Sequence, residues 1–394
     1  MHKNPFCGNA GRGGFLACWS AMNTVTTSPS APVRVAMIGA GGINQAHRVA
    51  FEKHPERVRL VGVADPLLEN ARSLAEPFGA VAGDDPARLL DELRGRVDAV
   101  LVTTPHYLHR THAGLAMERG LPVLIEKPVA CTVAEIRELQ ELERRHGVFA
   151  QAGQMQRFGR EENWLKRWLA SEEFGEARLF NLDIYQNIEG YVTGKPNPWI
   201  LDGRKAGGGV VMSVAVHILD LLRYWFDDDF VEVSAYGRFD PPMHGGAESV
   251  CTAILRSRRG LVGTLNCSYT VARCPYSQRS LVFGTRGTLA QHLEKIGGYA
   301  GPYYLSSDGG LPSPKWEMMY SGFQSVAERI QAELGAEEAI PNASFVRQML
   351  AFADNVRDGR PGENSLARNL NTIATVEAIG RAILSGAKEG VDVS

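Results

Sequence analysis

Through the first 150 positions apolar residues come in short runs, and each run stops at a turn signal. Val33, Val35, Met37 and Ile38 predict a strand rich in β-branched residues, and Gly39-Ala40-Gly41-Gly42-Ile43-Asn44 then turns into a helix. Arg59-Leu60-Val61-Gly62-Val63-Ala64 predicts a second strand that ends at Asp65. Asp85-Pro86 pairs an N-cap with proline at the first helical position and opens the helix ARLLDEL. Asp98-Ala99-Val100-Leu101-Val102 is another strand, ending at Thr103-Thr104-Pro105-His106, and HRTHAGLAMERG is a helix closed by Gly120. Val123-Leu124-Ile125 makes the next strand, with Glu126, Lys127 and Pro128 at its mouth. A capping box, Thr132-Val133-Ala134-Glu135, starts a helix running to His146, and Val148-Phe149-Ala150 is one more short strand. Repeated βα units predict a doubly wound parallel sheet, with ligands at the C-terminal ends of its strands.

From about residue 160 the texture changes. ARLFNLDIYQNI, VEVSAYGRF, SVCTAILRS, GLVGTLNCSYTV and RSLVFGT alternate like strands and mostly lack intervening helices, which predicts an antiparallel sheet. One segment differs: Gly207-Gly208-Gly209 runs into an apolar helix over 210–224. On it Ser213, His217 and Asp220 lie at i, i+4 and i+7, so regular helical spacing puts them on one face.

Composition narrows the class without naming a function. The chain has 394 residues, long enough for two domains, and its formal net charge of −2 gives no electrostatic case for nucleic acid or an anionic membrane. No uninterrupted run of 18 apolar residues occurs. The six cysteines have no C-x-x-C pair or metal-ligand spacing, so we expect no metal site and read them as reduced thiols of a cytoplasmic protein. The acidic run Asp227-Asp228-Asp229 reads as a solvated loop. Residues 1–31 combine GNAGRGG, a short apolar run and TTSPSAP; we expect a disordered tail or an upstream start, with Met22 as the true first residue. The expected domains are 32–154 and 155–394.

The first domain reads as a dinucleotide cradle. Gly39 permits the tight turn, Gly41 lets a pyrophosphate approach the backbone, and the helix N-terminus offers N–H groups and a positive dipole end. Asp65 lies where a carboxylate accepts hydrogen bonds from ribose hydroxyls; it would repel a 2′-phosphate, which favours NAD over NADP. Gly41, Asp65, Thr104 and Lys127 all fall at strand ends, so Glu126 and Lys127 are expected to project from the cofactor edge rather than into the core.

With these motifs in order, the chain resembles the glucose–fructose oxidoreductase/inositol dehydrogenase family, Gfo/Idh/MocA, over roughly residues 33–390. The resemblance rests on G-A-G-G-I with Asp65, T-T-P-H-Y-L-H (103–109), E-K-P (126–128) and G-G-G-x-x-x-S-x-x-x-H-x-x-D (207–220). It implies a Rossmann domain followed by an α/β domain with a large, mainly antiparallel sheet whose open face makes homodimers or homotetramers. It also implies roles. Lys127 and His217 match the catalytic pair. Gly39, Gly41, Gly42, Ile43, Asn44, Asp65, Thr103, Thr104, His106, His109, Glu126 and Lys127 match cofactor positions, and Pro128 matches a proline fixing the turn. Arg157, Tyr185, Trp199, Ser213 and His217 match the substrate side, with Tyr191, Arg204 and Lys205 as further pocket candidates.

Two positions depart from the family pattern. Asn44 stands where the fingerprint's third glycine or alanine usually sits, so a small local adjustment is expected. Ser213 stands where many members carry Asp; serine can hold the His217 ring by a hydrogen bond but adds no charge.

The expected activity is hydride transfer between NAD and a secondary alcohol of a sugar, cyclic polyol or glycoside. In this scheme Lys127 stabilises the developing alkoxide and His217 takes the proton. Two alternatives share the resemblance: an NAD-retaining glycoside hydrolase, which would give net hydrolysis without net NADH, and a non-catalytic sugar- or nucleotide-sensing protein, which would not turn over.

Overall fold

The computed structural model describes residues 31–195, 198–271, 277–294, 303–307, 324–336 and 339–393. The tail up to residue 30 and the side chain of Tyr191 lie outside that description. Strands β1 (Val33–Ile38), β2 (Val58–Ala64), β3 (Val81–Gly83), β4 (Ala99–Val102), β5 (Val123–Glu126) and β6 (Ala150–Gly153) form a parallel sheet in the order β3-β2-β1-β4-β5-β6. Helices α1 (Asn44–Lys53), α2 (Leu68–Ala75), α3 (Pro86–Glu92), α4 (His109–Met117) and α5 (Val133–His146) connect them. Strand order reverses between β1 and β4, and such a reversal opens a ligand crevice at the strand ends. The short polar signals act as read. Asp85 accepts the Arg88 N–H at the start of α3, and Thr132 accepts the Glu135 N–H at the start of α5.

The second sheet has the order β14-β13-β12-β11-β7-β10-β9-β8-β15. Its strands are β7 (Ala177–Tyr185), β8 (Phe230–Arg238), β9 (Val250–Ser257), β10 (Val262–Ser268), β11 (Ser277–Gly284), β12 (Gly287–Glu294), β13 (Tyr303–Ser307), β14 (Gln324–Ser325) and β15 (Glu389–Gly390). Only the β7–β10 pair is parallel among the described residues. Alternation gives the sheet two faces. Phe180, Leu182 and Ile184 of β7 are buried in the core with Leu219 and Leu222, while Asn181, Asp183 and Tyr185 take the opposite face. Helices α6 (Arg160–Leu169), α7 (Ile188–Val192), α8 (Gly203–Ala206) and α9 (Val216–Phe226) accompany this sheet. The stretch Gly203–Phe226 reaches a mean hydropathy of 1.4, and 78% of that apolar window is buried: it is apolar because it is a core element here.

The chain then returns to the first sheet. In the helix Ala343–Asp358, Val346, Met349 and Phe352 share a core with Val35, Leu60 and Leu101. The first sheet's core therefore uses a segment almost 200 residues beyond the division expected near residue 154. Asn364 adds a polar tie, donating to the carbonyls of Ala152 in β6 and Gln154 just past it.

Candidate functional site

The glycine turn after β1 divides by what each glycine serves. Gly39 has φ +100°, and a Cβ there would lie 2.9 Å from the Thr103 carbonyl carbon, so the fold itself requires it. At Gly41 and Gly42 an added Cβ meets nothing within 4 Å. The protein has no packing reason for glycine at those two positions. They leave open backbone at the uncapped N-terminus of α1, next to the half-exposed Ile43, as a pyrophosphate requires. Asn44 is buried and donates from Nδ2 to the Gly39 carbonyl at 2.9 Å. The departure at this position thus tightens the turn from within. Thr103 donates from Oγ1 to the same Gly39 carbonyl at 3.0 Å.

Asp65, one residue past β2, closes the other side. Its Oδ2 accepts the Ala40 N–H at 2.8 Å and its Oδ1 the Leu67 N–H at 2.9 Å. Each oxygen keeps a lone pair for a further donor. The open glycines, the free helix end and this oriented carboxylate fit an NAD adenosine diphosphate with an unphosphorylated ribose.

At the mouth of β5 the two charges part company. Glu126 is 6% exposed and faces into the protein, correcting the expectation that it projects from the edge. Its Oε1 lies 2.7 Å from Nε2 of the fully buried His47 on α1, and its Oε2 accepts the Lys127 N–H at 3.0 Å. Burial pushes the Glu126 carboxyl up, but the His47 hydrogen bond and charge, with Lys127, bring it below its ordinary range. Lys127 turns the other way, across a cis Lys127–Pro128 bond, and its Nζ donates to the Ser213 carbonyl at 2.9 Å. Burial lowers the Lys127 amine below its ordinary value, against the pull of Glu126.

The helix that meets Lys127 is anchored by packing, and its glycines serve a backbone. A Cβ at Gly209 would lie 1.9 Å from the Glu248 carbonyl oxygen, and one at Gly207 would lie 2.8 Å from Cys131 Cβ. The buried Glu248 caps the start of the helix, accepting the Gly209 and Val211 N–H groups at 2.8 and 2.9 Å. Residues Val211–Ala215 then form a π turn before α9. This wider turn breaks the regular i, i+4, i+7 register. Ser213 therefore presents its carbonyl to Lys127, while its buried hydroxyl makes no hydrogen bond among the described residues, so it does not hold the His217 ring. His217 is half-buried and four residues on, about 5–6 Å along the helix axis. Asp220 is committed to a buried ion pair with Arg157.

Trp199 joins the same edge: its ring meets that of His106 at 4.5 Å between centroids, and His106 Nδ1 lies 2.9 Å from the Ala206 carbonyl. Burial, then His109 and Lys127, hold His106 well below its ordinary range. Thr104 lies at this edge with its hydroxyl 3.1 Å from His112 Nδ1.

Several expected site residues serve the fold instead. His109 is fully buried with both ring nitrogens 2.7 Å from backbone carbonyls, of Pro128 and Thr104, which leaves no ring atom for a cofactor. Arg157 is also buried; its Nε and Nη2 each bond the Asp220 carboxylate at 2.6 Å and its Nη1 bonds the Glu363 carbonyl, so three of its five N–H donors are committed to the fold. Tyr185 lies on the sheet's open face, 3.3 Å from Asp183, its hydroxyl pushed up to about 12 chiefly by burial and Asp183. Arg204 and Lys205 are exposed, and Arg204 pairs with Asp202. The sequence reading missed His47 and Glu248. His47 sits on the buried face of α1, a usable signal; Glu248 precedes a strand and carries no local mark.

Two family profiles match the chain: an oxidoreductase family with an NAD-binding Rossmann fold over residues 33–154, and a GFO/IDH/MocA C-terminal domain over residues 163–290. Among curated proteins, glucose-6-phosphate 3-dehydrogenase of Bacillus subtilis (strain 168) is 27% identical over 52% of this chain and 57% of its own length. D-glucoside 3-dehydrogenase of Escherichia coli (strain K12) is 29% identical over 50% and 54%. The scyllo-inositol 2-dehydrogenase (NAD(+)) of Bacillus subtilis (strain 168) is 28% identical over 65% and 73%. The match thus spans little more than half the length of the first two relatives. Among solved structures, an oxidoreductase domain protein from Kribbella flavida shares the fold with TM-score 0.78 at 21% identity, over 92% of this chain and 100% of that one. A levoglucosan dehydrogenase in complex with NADH shares it with TM-score 0.78 at 19% identity, over 92% and 99%.

Proposed function

Because the chain belongs to the GFO/IDH/MocA oxidoreductase family, whose first domain is an NAD-binding Rossmann fold, we propose that it is an NAD-dependent dehydrogenase of secondary alcohols in a sugar, cyclic polyol or glycoside. The observation that carries this reading is the approach of two elements distant in sequence: Lys127 Nζ lies 2.9 Å from the Ser213 carbonyl on the helix that bears His217. Lys127 lies close enough to His106 to act on its charge, and the His106 ring meets Trp199. Bound NAD would supply the hydride acceptor.

The residues divide the remaining work. Lys127 donates to the substrate oxygen as it becomes an alkoxide, and its lowered proton affinity makes it a more acidic donor to that oxygen. His217 accepts the hydroxyl proton. Trp199 offers a flat apolar wall for a ring substrate. Asp65 receives the ribose hydroxyls and disfavours NADP. The sheet's open face, with Tyr236 and Ile254 exposed, is the surface through which a homodimer or tetramer would form. The buried thiols Cys131, Cys251 and Cys267, which form no disulfide, suit a reducing, cytoplasmic setting.

The direct test incubates the enzyme with NAD and a panel of inositols, glucosides and aldonic acids and follows absorbance at 340 nm, where reduced nicotinamide absorbs. NADH formation with at least one alcohol, lost in Lys127→Ala, is the expected result. Hydrolysis without net NADH would sink the reading in favour of a hydrolase, and saturable binding without turnover in favour of a sensor.

A further inference from the structure

The segment T-T-P-H-Y-L-H holds two histidines, and the fold spends them differently. His109 has both ring nitrogens 2.7 Å from backbone carbonyls. His106 has only one so placed: its Nδ1 lies 2.9 Å from the Ala206 carbonyl. A carbonyl only accepts, so Nδ1 carries the proton in that contact. Burial, then the charges of His109 and Lys127, disfavour a second proton on the ring. Nε2 is left as a bare acceptor. It makes no hydrogen bond among the described residues, and unlike His47 Nδ1 it is not sealed from solvent. The residue is otherwise buried, 6% exposed, where an acceptor without a donor is costly.

The surroundings of the ring decide which donor suits it. Its tie to Ala206 and its edge-on contact with Trp199, 4.5 Å between centroids, both run to the segment ahead of the triple glycine. Lys127 is near enough to act on its charge. The ring thus sits where the two halves of the chain meet, after β4, and not in the Gly39–Gly42 turn that follows β1. We propose that His106 is a specificity residue: its Nε2 accepts a hydrogen bond from a second hydroxyl of the substrate, one that is not oxidised. The proposal deepens the dehydrogenase reading and rests on it, since that reading gives the reacting hydroxyl to Lys127 and His217. The substrate class narrows to a polyol whose ring lies along Trp199. A ring alcohol with a single hydroxyl leaves the Nε2 acceptor unpaired and is rejected for that reason.

The first test reads the ring itself, by 15N NMR of the histidine-labelled full chain at neutral pH, with the His106 signals assigned by their loss in His106→Asn. A proton on Nδ1 and none on Nε2 is expected; a proton on Nε2, or on both nitrogens, overturns the proposal. The second test uses the alcohol that reduces NAD fastest in the panel above, together with its monodeoxy derivatives. His106→Asn keeps an N–H donor where Nδ1 stood and removes the Nε2 acceptor. It should raise KM for that alcohol about tenfold, with kcat and the KM for NAD within about threefold of the parent. One monodeoxy derivative should cost the parent a similar factor and the variant little, because both changes delete the same contact. Equal losses on every derivative in both proteins, or a raised KM for NAD in place of the alcohol's, overturns the proposal. A variant that does not fold leaves the parent to decide: its Nε2 signal should shift on saturation with NADH and the alcohol, and an unmoved signal overturns the proposal. A parent that oxidises no alcohol defeats the dehydrogenase reading and takes this role with it. A parent that oxidises one while His106→Asn changes nothing defeats this proposal alone.

Discussion

The amine of Lys127, at the end of a strand in the first sheet, donates at 2.9 Å to the carbonyl of Ser213, on a helix packed against the second sheet. A contact of this kind ties the two halves of the chain at the edge where the cofactor cradle opens. It also sets a sharp expectation for the lysine. Lys127→Met keeps the stem and removes the charge, and should lower kcat by about 100- to 10,000-fold while leaving the melting temperature unchanged or raised. Steady-state rates beside thermal melts check both halves.

The same lysine predicts a pH dependence. Its amine is held below the ordinary lysine value, by burial first, with Glu126 opposing. If the protonated form is the working donor, kcat/KM falls as pH rises through the folded value, below the ordinary 10.5. The folded chain binds this proton more weakly than the unfolded chain, so the amine's contribution to stability rises with pH across that window. A pH–rate profile whose alkaline limb persists unchanged in Lys127→Arg would assign the limb to another group.

Gly39 and Gly41 should separate folding from binding. Gly39→Ala forces a Cβ against the Thr103 carbonyl at positive φ, and should destabilise the fold by about 1–3 kcal/mol. Gly41→Ala meets no protein atom, so its stability should stay within about 1 kcal/mol of the parent. Its NAD affinity should drop about tenfold or more, because the methyl takes the space of the pyrophosphate. Urea unfolding and NAD titration, run side by side, decide it. Loss of stability without loss of affinity at Gly41 would count against the cradle.

Arg157 and Asp220 form a buried pair with side chains 4% and 2% exposed. Arg157→Met takes the bidentate partner from a buried carboxylate, leaving it Thr372 at 3.0 Å and Arg223 at 4.0 Å, and should cost about 3 kcal/mol in urea unfolding. The double variant Arg157→Met/Asp220→Leu should recover much of that. In whatever fraction remains folded, KM for the alcohol should be unchanged. A raised KM with normal stability would restore Arg157 to the substrate side.

Glu143, on α5, gives a separate check on burial. Its Oε1 accepts the Ala150 N–H at 2.8 Å, yet burial pushes its carboxyl up to about 7. The folded chain therefore holds this proton more tightly than the unfolded one, and its contribution to stability falls as pH rises from the ordinary 4.5 through about 7. Glu143→Gln keeps an acceptor oxygen and removes the charge. It should raise the melting temperature at pH 8 by roughly 2 °C and change little at pH 5.

Local chemistry made much of this protein readable in one dimension. The Asp85-Pro86 and Thr132-x-x-Glu135 starts act within a few residues, so the helices they open are found as read. Alternating apolar runs fixed the strands, and the turn Gly39–Gly42 declared a cradle because φ and steric space are properties of single residues. What lay beyond reach depended on contacts made across the chain. The core of the first sheet is completed by Val346, Met349 and Phe352, which no local pattern ties to Leu60. Arg157 and His109 look like site residues in a motif, and become structural only when Asp220 and the Pro128 carbonyl close around them. Glu126 and Lys127 are adjacent in sequence, and peptide geometry alone leaves their partners undecided. The fold chose His47 for one and Ser213 for the other, because only packing decides which donors and acceptors are shut away from water with each charge.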